Sequence, residues 1–334
     1  MRINRTLRSL SDIALSRSRI WAIDLARGAS LIGMAFYHLC WDLAYFGIIP
    51  RGFPVEPPMR AFSHVVAGAF LLLVGVSLAL AHSDGINWPG YLRRLATVGA
   101  AAALVTLATH SFAPGEAIYF GILHCIVIAS ILALPLVRAA PLVALTAAAF
   151  ALAAPLFFVS GVFDSPDLVW VGLSTWTPTT LDWRPLLPWS GLVFLGVGVT
   201  RLAPKILIAS PLAAWQPVAA PTRALTWSGR HSLAIYLVHQ PILFGALFAS
   251  YGALFGSTSQ AGFDGQQTVL AFRATCQKEC AEGGGAAKIC ANACQCVVKG
   301  LQDADLSIAM SRRTLTESQE EGYLHVVRSC AAQR

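Results

Sequence analysis

Four ionisable residues within one long apolar stretch are the clearest candidates for chemistry. The stretch Trp21–Phe46 carries Asp24, Arg27, His38 and Asp42 among mostly apolar neighbours. On a helix that turns about 100° per residue, all four side chains fall within roughly 60° of one another. Charged groups at the centre of a bilayer cost roughly 2.5–3.5 kcal/mol each on insertion scales, so they usually face a bundle interior and mark a functional path.

His38 and Asp42 are four residues apart, which places them one turn apart on the same helix face. A carboxylate in that position can fix the tautomer of an imidazole and raise its basicity, as general-base catalysis requires. We therefore predict that His38 is a catalytic base and that Asp42 is its partner. The alternative is a buried hydrogen-bonded pair that only joins helices.

Two further histidines are predicted to reach the depth of His38 from other apolar segments. At 1.5 Å per residue, His38 lies about 15 Å beyond Arg27, while His124 and His239 lie roughly 10 and 12 Å from the ends of their segments. A structural role is the alternative for His124 and His239. The same cavity is predicted to include Asp24, Tyr236 and Gln240. The histidines near segment ends are interpreted as interfacial polar groups: His64, His82, His110 and His231.

Aromatic and acidic residues are concentrated in the outer loop 161–185. Tryptophan faces beside carboxylates suit a sugar or another polyhydroxyl acceptor, and on this basis we predict that Asp182 and Trp183 bind the acceptor. An aromatic belt at the membrane surface is the alternative. The residues concerned are Asp164, Asp167, Trp170, Trp176, Asp182 and Trp183, followed by Trp189.

Arginines on the opposite side of the predicted membrane are candidates for holding phosphates. Arg27 lies at the inner end of the first apolar stretch, and other arginines flank later stretches. Inner arginines also arise from membrane topology alone, which is the alternative. The predicted donor-binding residues are Arg27, Arg93, Arg94 and Arg230, with Arg223 nearby.

The composition predicts a membrane protein, because 56% of the 334 residues are hydrophobic and only 12% are charged. Soluble domains carry about 25% charged residues. Mean hydropathy is +0.61. We predict an all-α polytopic membrane helix bundle of about seven spans with a small cysteine-rich helical C-terminal tail. The predicted spans are 22–48, 61–82, 95–112, 117–137, 141–160, 186–202 and 231–254.

The positive charges indicate an orientation. With the N-terminus inside, 13 Lys and Arg residues fall on the cytoplasmic side and three fall outside before the tail. This distribution accounts for the net charge of +7 without nucleic-acid binding. We predict a bacterial inner-membrane protein with a cytoplasmic N-terminus and a periplasmic tail. Residues 203–221 are placed in a cytoplasmic loop or at the interface, because the segment is too short and too interrupted by proline for a span. A true span there would move the tail to the cytoplasm.

The tail contains six of the eight cysteines. Two C-x-x-x-C pairs flank a triple-glycine turn at 283–285, and spacing of i,i+4 places each pair on one helix face. An antiparallel hairpin would bring the pairs together, in an arrangement that resembles known disulfide-stapled helical hairpins. An even cysteine count suits an oxidising compartment. Zinc binding is the alternative, although zinc sites more often use C-x-x-C. The predicted bridges are Cys276–Cys294 and Cys280–Cys290, with Cys296–Cys330 as a candidate third.

Three regions follow from these patterns. Residues 1–19 hold five arginines and no apolar core, so they are predicted to be a basic cytoplasmic segment and not a cleavable signal peptide. Residues 20–258 are predicted to form the transmembrane domain. Residues 262–334 are predicted to form the periplasmic tail.

Five segments resemble the bacterial family with a heparan-alpha-glucosaminide N-acetyltransferase catalytic domain. They are DLARG at 24–28, YHLCWDL at 37–43, FGILH at 120–124, LLPW at 186–189 and GRHSLAIYLVHQP at 229–241. The resemblance covers about residues 18–255. It implies an acyl-CoA donor from the cytoplasm, an acceptor amine or hydroxyl on the far side, and a mid-membrane histidine base, which the R-G-x9-H pattern carries to His38.

The expected function is therefore a membrane acyltransferase that uses acetyl-CoA or another acyl-CoA as co-substrate, without a metal. The expected partners are the lipid bilayer and a small-molecule or glycan acceptor; a homodimer and a periplasmic partner for the tail are further expectations. A proton-coupled transporter that relays protons through His38 and Asp42 is one alternative. A haem-binding electron carrier is another, because facing histidines in a bundle can ligate iron.

Overall fold

The computed structural model describes residues 20–50, 52–202, 211–255, 272–273, 275–278, 280, 286–304 and 317–331. The regular secondary structure of these residues is entirely helical, which confirms the predicted all-α class. The chain divides into two compact units, Met1–Leu243 and Phe244–Arg334. The basic segment 1–19, residues 203–210 and the triple-glycine turn lie outside the described residues. The three-region division of the sequence stays a prediction.

The first unit is a helical bundle whose longest described connection is the loop between Phe157 and Leu186. In chain order the helices that begin in it are α1 (Trp21–Tyr45), α2 (Pro57–Ala81), α3 (Trp88–Phe112), α4 (Ile122–Leu136), α5 (Pro141–Phe157), α6 (Leu186–Leu202), α7 (Pro211–Ala214), α8 (Ala220–Arg230) and α9 (Ser232–Phe255). Each predicted span therefore overlaps one of these helices, although the bounds differ. Short 3₁₀ turns lie between several of them.

Three of the described helices are long and apolar enough to cross a membrane: α2, α3 and the Ser232–Tyr251 part of α9. The shorter apolar helices α4, α5 and α6 have 15, 17 and 17 residues. At 1.5 Å per residue they are about 22–26 Å long, less than the roughly 30 Å hydrocarbon core. The protein is of the membrane type, and the count of seven spans stays a prediction.

Helix starts differ from the predicted span starts because caps and prolines, and not apolarity, fix where a helix begins. α3 begins at Trp88 and not at 95, since the Asn87 side chain accepts a hydrogen bond of 3.2 Å from the Gly90 backbone N–H. α2 begins at Pro57, four residues before the predicted span. Proline suits the first turn because its missing N–H would have no partner there.

Helix α6 is the centre of the bundle and packs against α5, α2 and α4. The core that results is made of small and branched apolar side chains. Its fully buried members include Leu71, Ala129, Ala133, Val193 and Val197. Burial of such side chains removes apolar surface from the surroundings and holds the helices that carry the polar residues described below.

Helix α8 is an element that the sequence patterns did not predict. It lies against α1, and the two backbones approach at glycines. A β-carbon on Gly28 would overlap the Leu225 carbonyl oxygen, and one on Gly229 would overlap the Asp24 carbonyl oxygen. Only glycine permits this approach, so Gly28 and Gly229 fix α8 against the N-terminal half of the polar helix.

The second unit contains a disulfide-bonded helical region. Its helices α10 (Ala287–Asp303) and α11 (Glu317–Ala331) pack around Val297, Leu301 and Val326. All three predicted bridges are present, with Cα atoms 5.7–5.9 Å apart, and the zinc alternative is not the arrangement formed. The bridges are Cys276–Cys294, Cys280–Cys290 and Cys296–Cys330. The side of the membrane on which this region lies stays a prediction.

Candidate functional site

His38 of α1 and His239 of α9 face each other inside the first unit. Their rings meet edge to face with centroids 5.0 Å apart. His239 Nδ1 lies 2.6 Å from the Tyr236 carbonyl oxygen, an acceptor, so Nδ1 carries the proton. The lone pair is then on Nε2, which is buried and has no hydrogen-bond partner. An imidazole oriented in this way presents an unprotonated nitrogen beside a second imidazole.

Asp42 has a different partner from the one predicted. Gln240 donates a hydrogen bond of 2.7 Å from Nε2 to Asp42 Oδ1, and Asp42 is only 3% exposed. Oδ2 of Asp42 and Oε1 of Gln240 are buried without hydrogen-bond partners. Asp42 therefore ties α1 to α9 and makes no hydrogen bond to the His38 ring, because Oδ1 is bonded to Gln240 and Oδ2 has no partner.

The N-terminal end of the polar face holds an ion pair. Asp24 lies 3.6 Å from Arg27, and Arg27 also donates to the Ser77 hydroxyl of α2. Arg94 of α3 is close enough to Arg27 for the two positive charges to repel. Two predicted donor-binding residues are thus brought together, on helices α1 and α3.

The remaining predicted donor-binding arginines lie elsewhere. Arg93 is exposed on α3. Arg230, at the end of α8, places its guanidinium over the Trp21 ring at 5.8 Å from the centroid. The close approach of α8 to α1 thus gives Arg230 a contact near the start of the polar helix.

A cavity of about 430 Å³ lies near the N-terminal ends of α2 and α6. Its walls are mostly apolar, and its polar members are His64, Arg184 and the two tryptophans Trp183 and Trp189. Arg184 lies over the Trp189 ring at 4.9 Å, and the His64 ring meets the same tryptophan at 5.4 Å. Trp183, a predicted acceptor-binding residue, thus lines a cavity. His64 and Arg184 also line it, although they were not among the predicted site residues.

Arg184 connects this cavity to the histidine pair. Its guanidinium lies near enough to His38, His64 and Tyr236 for its charge to act on all three. Nothing in the spacing of the sequence signalled this role. Arg184 lies in a loop, and its position depends on the packing of that loop against Ser63 of α2, whose hydroxyl oxygen accepts from Nη2 at 2.7 Å.

His124 and Asp182 hold the start of α4. His124 Nδ1 accepts from the Gly121 backbone N–H at 3.3 Å, and its Nε2 lies 3.2 Å from the Thr106 hydroxyl. The Ile122 backbone N–H donates to Asp182 Oδ2 at 2.8 Å. Both ring nitrogens of His124 are therefore in use, and His124 lies in the first turn of α4.

The outer loop is held by its own side chains. Asp164 accepts hydrogen bonds of 2.7–2.8 Å from the Thr175 hydroxyl, the Thr175 backbone N–H and the Ser174 hydroxyl. These bonds, those of Thr175 foremost, lower the pKa of Asp164 from its ordinary value. Trp170 stacks on Phe120 with ring centroids 5.3 Å apart. Of the predicted loop aromatics, Trp183 lines the cavity, whereas Trp170 supports the loop.

Residues 19–241 match the family described as Heparan-alpha-glucosaminide N-acetyltransferase, catalytic. The match covers more than half of the chain. The chain belongs to this family. This heparan-alpha-glucosaminide N-acetyltransferase family member is accordingly a membrane enzyme of the acetyltransferase type, and the predicted resemblance is confirmed. The histidine pair and the cavity lie within the matched residues, and the disulfide-bonded region lies outside them. No curated protein and no solved structure matches the chain.

Proposed function

We propose that the protein transfers an acetyl group from acetyl-CoA, bound near the inner end of α1, to an amine or hydroxyl of an acceptor that enters from the outer cavity. The observation that carries this proposal is the contact of His38 with His239, with centroids 5.0 Å apart, inside an acetyltransferase catalytic domain. Acyl transfer needs a base for the acceptor, positive charge for the donor phosphates and a site shielded from water.

His239 Nε2 is the atom that receives the proton. The acceptor nitrogen or oxygen attacks the thioester carbonyl carbon, the new C–N or C–O bond forms, and the carbon–sulfur bond breaks. The acceptor's proton passes to Nε2 of His239, which then gives this proton to the departing thiolate of coenzyme A, so that the imidazole returns to its neutral form. His38 lies edge to face against the His239 ring and holds this ring in position. In the alternative assignment His38 is the base, as the sequence predicts. Mutation of each histidine can distinguish the two assignments.

The donor phosphates are assigned to Arg27 and Arg94. Arg27 and Arg94 lie on neighbouring helices, each within reach of the other's charge, and an anion held between them would relieve this repulsion. His38 lies 11 residues along α1 from Arg27. That separation is about 16 Å, so a donor held at Arg27 must extend along the helix for its thioester to reach the histidines.

The orientation is part of this proposal. The excess of Lys and Arg at the inner ends supports a cytoplasmic donor site and an outer acceptor side in a bacterial inner membrane. A cysteine introduced near Ser257 in a chain without other reactive thiols should react with an impermeant maleimide in intact spheroplasts. Protection of that cysteine until lysis would contradict the orientation.

The proposed mechanism is tested with two substitutions and one matched control. The two variants are His239→Ala and His38→Ala, assayed by acetyl transfer from radiolabelled acetyl-CoA. Loss of the base should lower the rate by about 10²–10⁴-fold, so the variant with the larger loss identifies the base. Glucosamine and extracted envelope lipids serve as acceptors in reconstituted vesicles. His231→Ala removes an exposed imidazole at the junction of α8 and α9 and should leave the rate unchanged.

Full turnover by both well-folded histidine variants would overturn the mechanism. Loss of activity in step with loss of folded protein would instead show that the pair only joins helices. A haem Soret band in the purified protein would favour the electron-carrier alternative, although rings in edge-to-face contact leave no space between them for iron and its porphyrin.

A further inference from the structure

The outer cavity has an unusual lining for a site that receives a soluble sugar. Apolar side chains form most of its wall, including Leu152 of α5 and Leu192 of α6. A polyhydroxyl ring needs many hydrogen-bond partners when it leaves water, and this wall offers few. Its volume of about 430 Å³ suits a small-molecule ligand that is largely apolar.

Arg184 is the single cation of this wall, and its charge has no carboxylate partner within ion-pair distance among the described residues. Its guanidinium donates to the Trp183 carbonyl oxygen at 2.9 Å and to the Ser63 hydroxyl at 2.7 Å. Asp182, the nearest loop carboxylate in sequence, is occupied at the start of α4. Since a guanidinium has five N–H donors, Arg184 retains donors and charge for an anion.

The cavity also borders the exposed apolar surface of α5. One face of α5 packs on α6 through small residues such as Ala148 and Ala151, which are buried. Leu152 borders the cavity and is 38% exposed, and Leu156 and Phe157 continue the same apolar exterior. A ligand with an apolar chain can therefore enter the cavity from the bilayer without crossing a polar barrier.

We infer that this cavity binds an anionic amphiphile, such as a lipid phosphate, with its anionic group on Arg184 and its chain against Leu152 and Leu192. The inference rests on the proposed function in one respect: the amphiphile would be the acetyl acceptor or its lipid carrier. Arg184 lies over the Trp189 ring, which His64 also contacts, so an anion bound at Arg184 lies within the cavity beside both.

The test measures binding and transfer separately in purified full-length protein. Dodecyl phosphate, dodecyl glucoside and inorganic phosphate are titrated below micelle-forming concentrations, and tryptophan fluorescence reports occupancy beside Trp183 and Trp189. We expect dodecyl phosphate to bind at least tenfold more tightly than either other probe. Equal affinity for dodecyl glucoside would contradict an anion site at Arg184. Equal affinity for inorganic phosphate would contradict a contribution of the apolar chain.

Substitutions locate the site. Arg184→Gln should weaken dodecyl phosphate at least tenfold, and Leu152→Trp, which fills the cavity from α5, should weaken it without changing charge. Arg138→Gln removes an exposed arginine at the end of α4 and is the matched control. Unchanged affinity in Arg184→Gln or Leu152→Trp would overturn the inference. If Arg184→Gln does not fold, Leu152→Trp and the comparison of probes on the unaltered protein still decide it.

The transfer assay distinguishes this inference from the proposed function. Dodecyl phosphate binding without acetyl transfer to any acceptor would support the amphiphile site and contradict the proposed reaction. Acetyl transfer to glucosamine with no binding of dodecyl phosphate would support the proposed reaction and contradict the amphiphile site.

Discussion

Gln240 donates from Nε2 to Asp42 Oδ1 across 2.7 Å, and this bond joins α9 to α1 beside the histidine pair. The two residues are 198 positions apart in the sequence. His239 precedes Gln240 and His38 lies one turn from Asp42, so the amide–carboxyl bond sets the separation of the two imidazoles. His38 and His239 are therefore positioned by the Gln240–Asp42 hydrogen bond, which the predicted His38–Asp42 pairing did not include.

Breaking this bond should destabilise the protein and misplace the histidines. Gln240→Leu leaves the buried Asp42 carboxyl group without its donor, at a cost of about 1–3 kcal/mol. We expect a lower thermal midpoint in detergent and reduced acetyl transfer. A double-mutant cycle with Asp42→Asn should show strong coupling, and additive effects of the two substitutions would contradict a direct bond.

The approach of α8 to α1 should tolerate no side chain at Gly28. Gly28→Ala places a methyl group against the Leu225 backbone, and overpacking of this kind typically costs about 1–3 kcal/mol. Gly99→Ala is the matched control, because nothing lies within 4 Å of its added β-carbon and alanine favours a helix by about 0.5–1 kcal/mol. Thermal unfolding should therefore move in opposite directions for the two variants.

Arg27 should act in donor binding. Arg27→Gln removes a charge-assisted contact worth about 1.5–3 kcal/mol, which corresponds to a rise in the Kd for acetyl-CoA of roughly 10–100-fold. Equilibrium dialysis with radiolabelled acetyl-CoA measures this directly. The affinity should also fall as salt is raised. An Arg27→Gln protein that is folded and binds acetyl-CoA normally would place the phosphates elsewhere.

The disulfide-bonded region should show three bridges and two free thiols. Cys40 and Cys125, both buried in the first unit, are the free cysteines. Non-reduced peptide mapping by mass spectrometry should find Cys276–Cys294, Cys280–Cys290 and Cys296–Cys330. Alkylation of denatured, unreduced protein should label only the two free residues. Labelling of six further cysteines would contradict the pairing.

The outer loop should lose order in acid. The hydrogen bonds from Thr175 and Ser174 lower the pKa of Asp164, so the carboxylate stabilises the loop above its unfolded pKa of about 3.9. This contribution falls as the pH drops below that value through the lower, folded pKa. Limited proteolysis between 161 and 185 should be slow from neutral pH to about pH 4 and faster below it. Asp164→Asn should remove this pH dependence.

Much of the architecture could be read from the sequence, because apolar length, proline and charge act locally. The stretch that carries Asp24, Arg27, His38 and Asp42 is one helix, as predicted, and its polar face points into the bundle. The cysteine spacing gave the right bridges, since a helical hairpin of i,i+4 pairs leaves few geometries. The order of motifs was sufficient to predict the family.

Tertiary structure alone decided how these residues are used. Asp42 binds Gln240 and not His38, and His124 serves the start of α4, because the partners come from helices far away in sequence. His64 and Arg184 enter a cavity only through the packing of α2, α6 and the outer loop. Periodicity within one segment fixes the face on which a side chain lies, whereas its partner is fixed by the close packing of helices, here set by glycines such as Gly28 and Gly229.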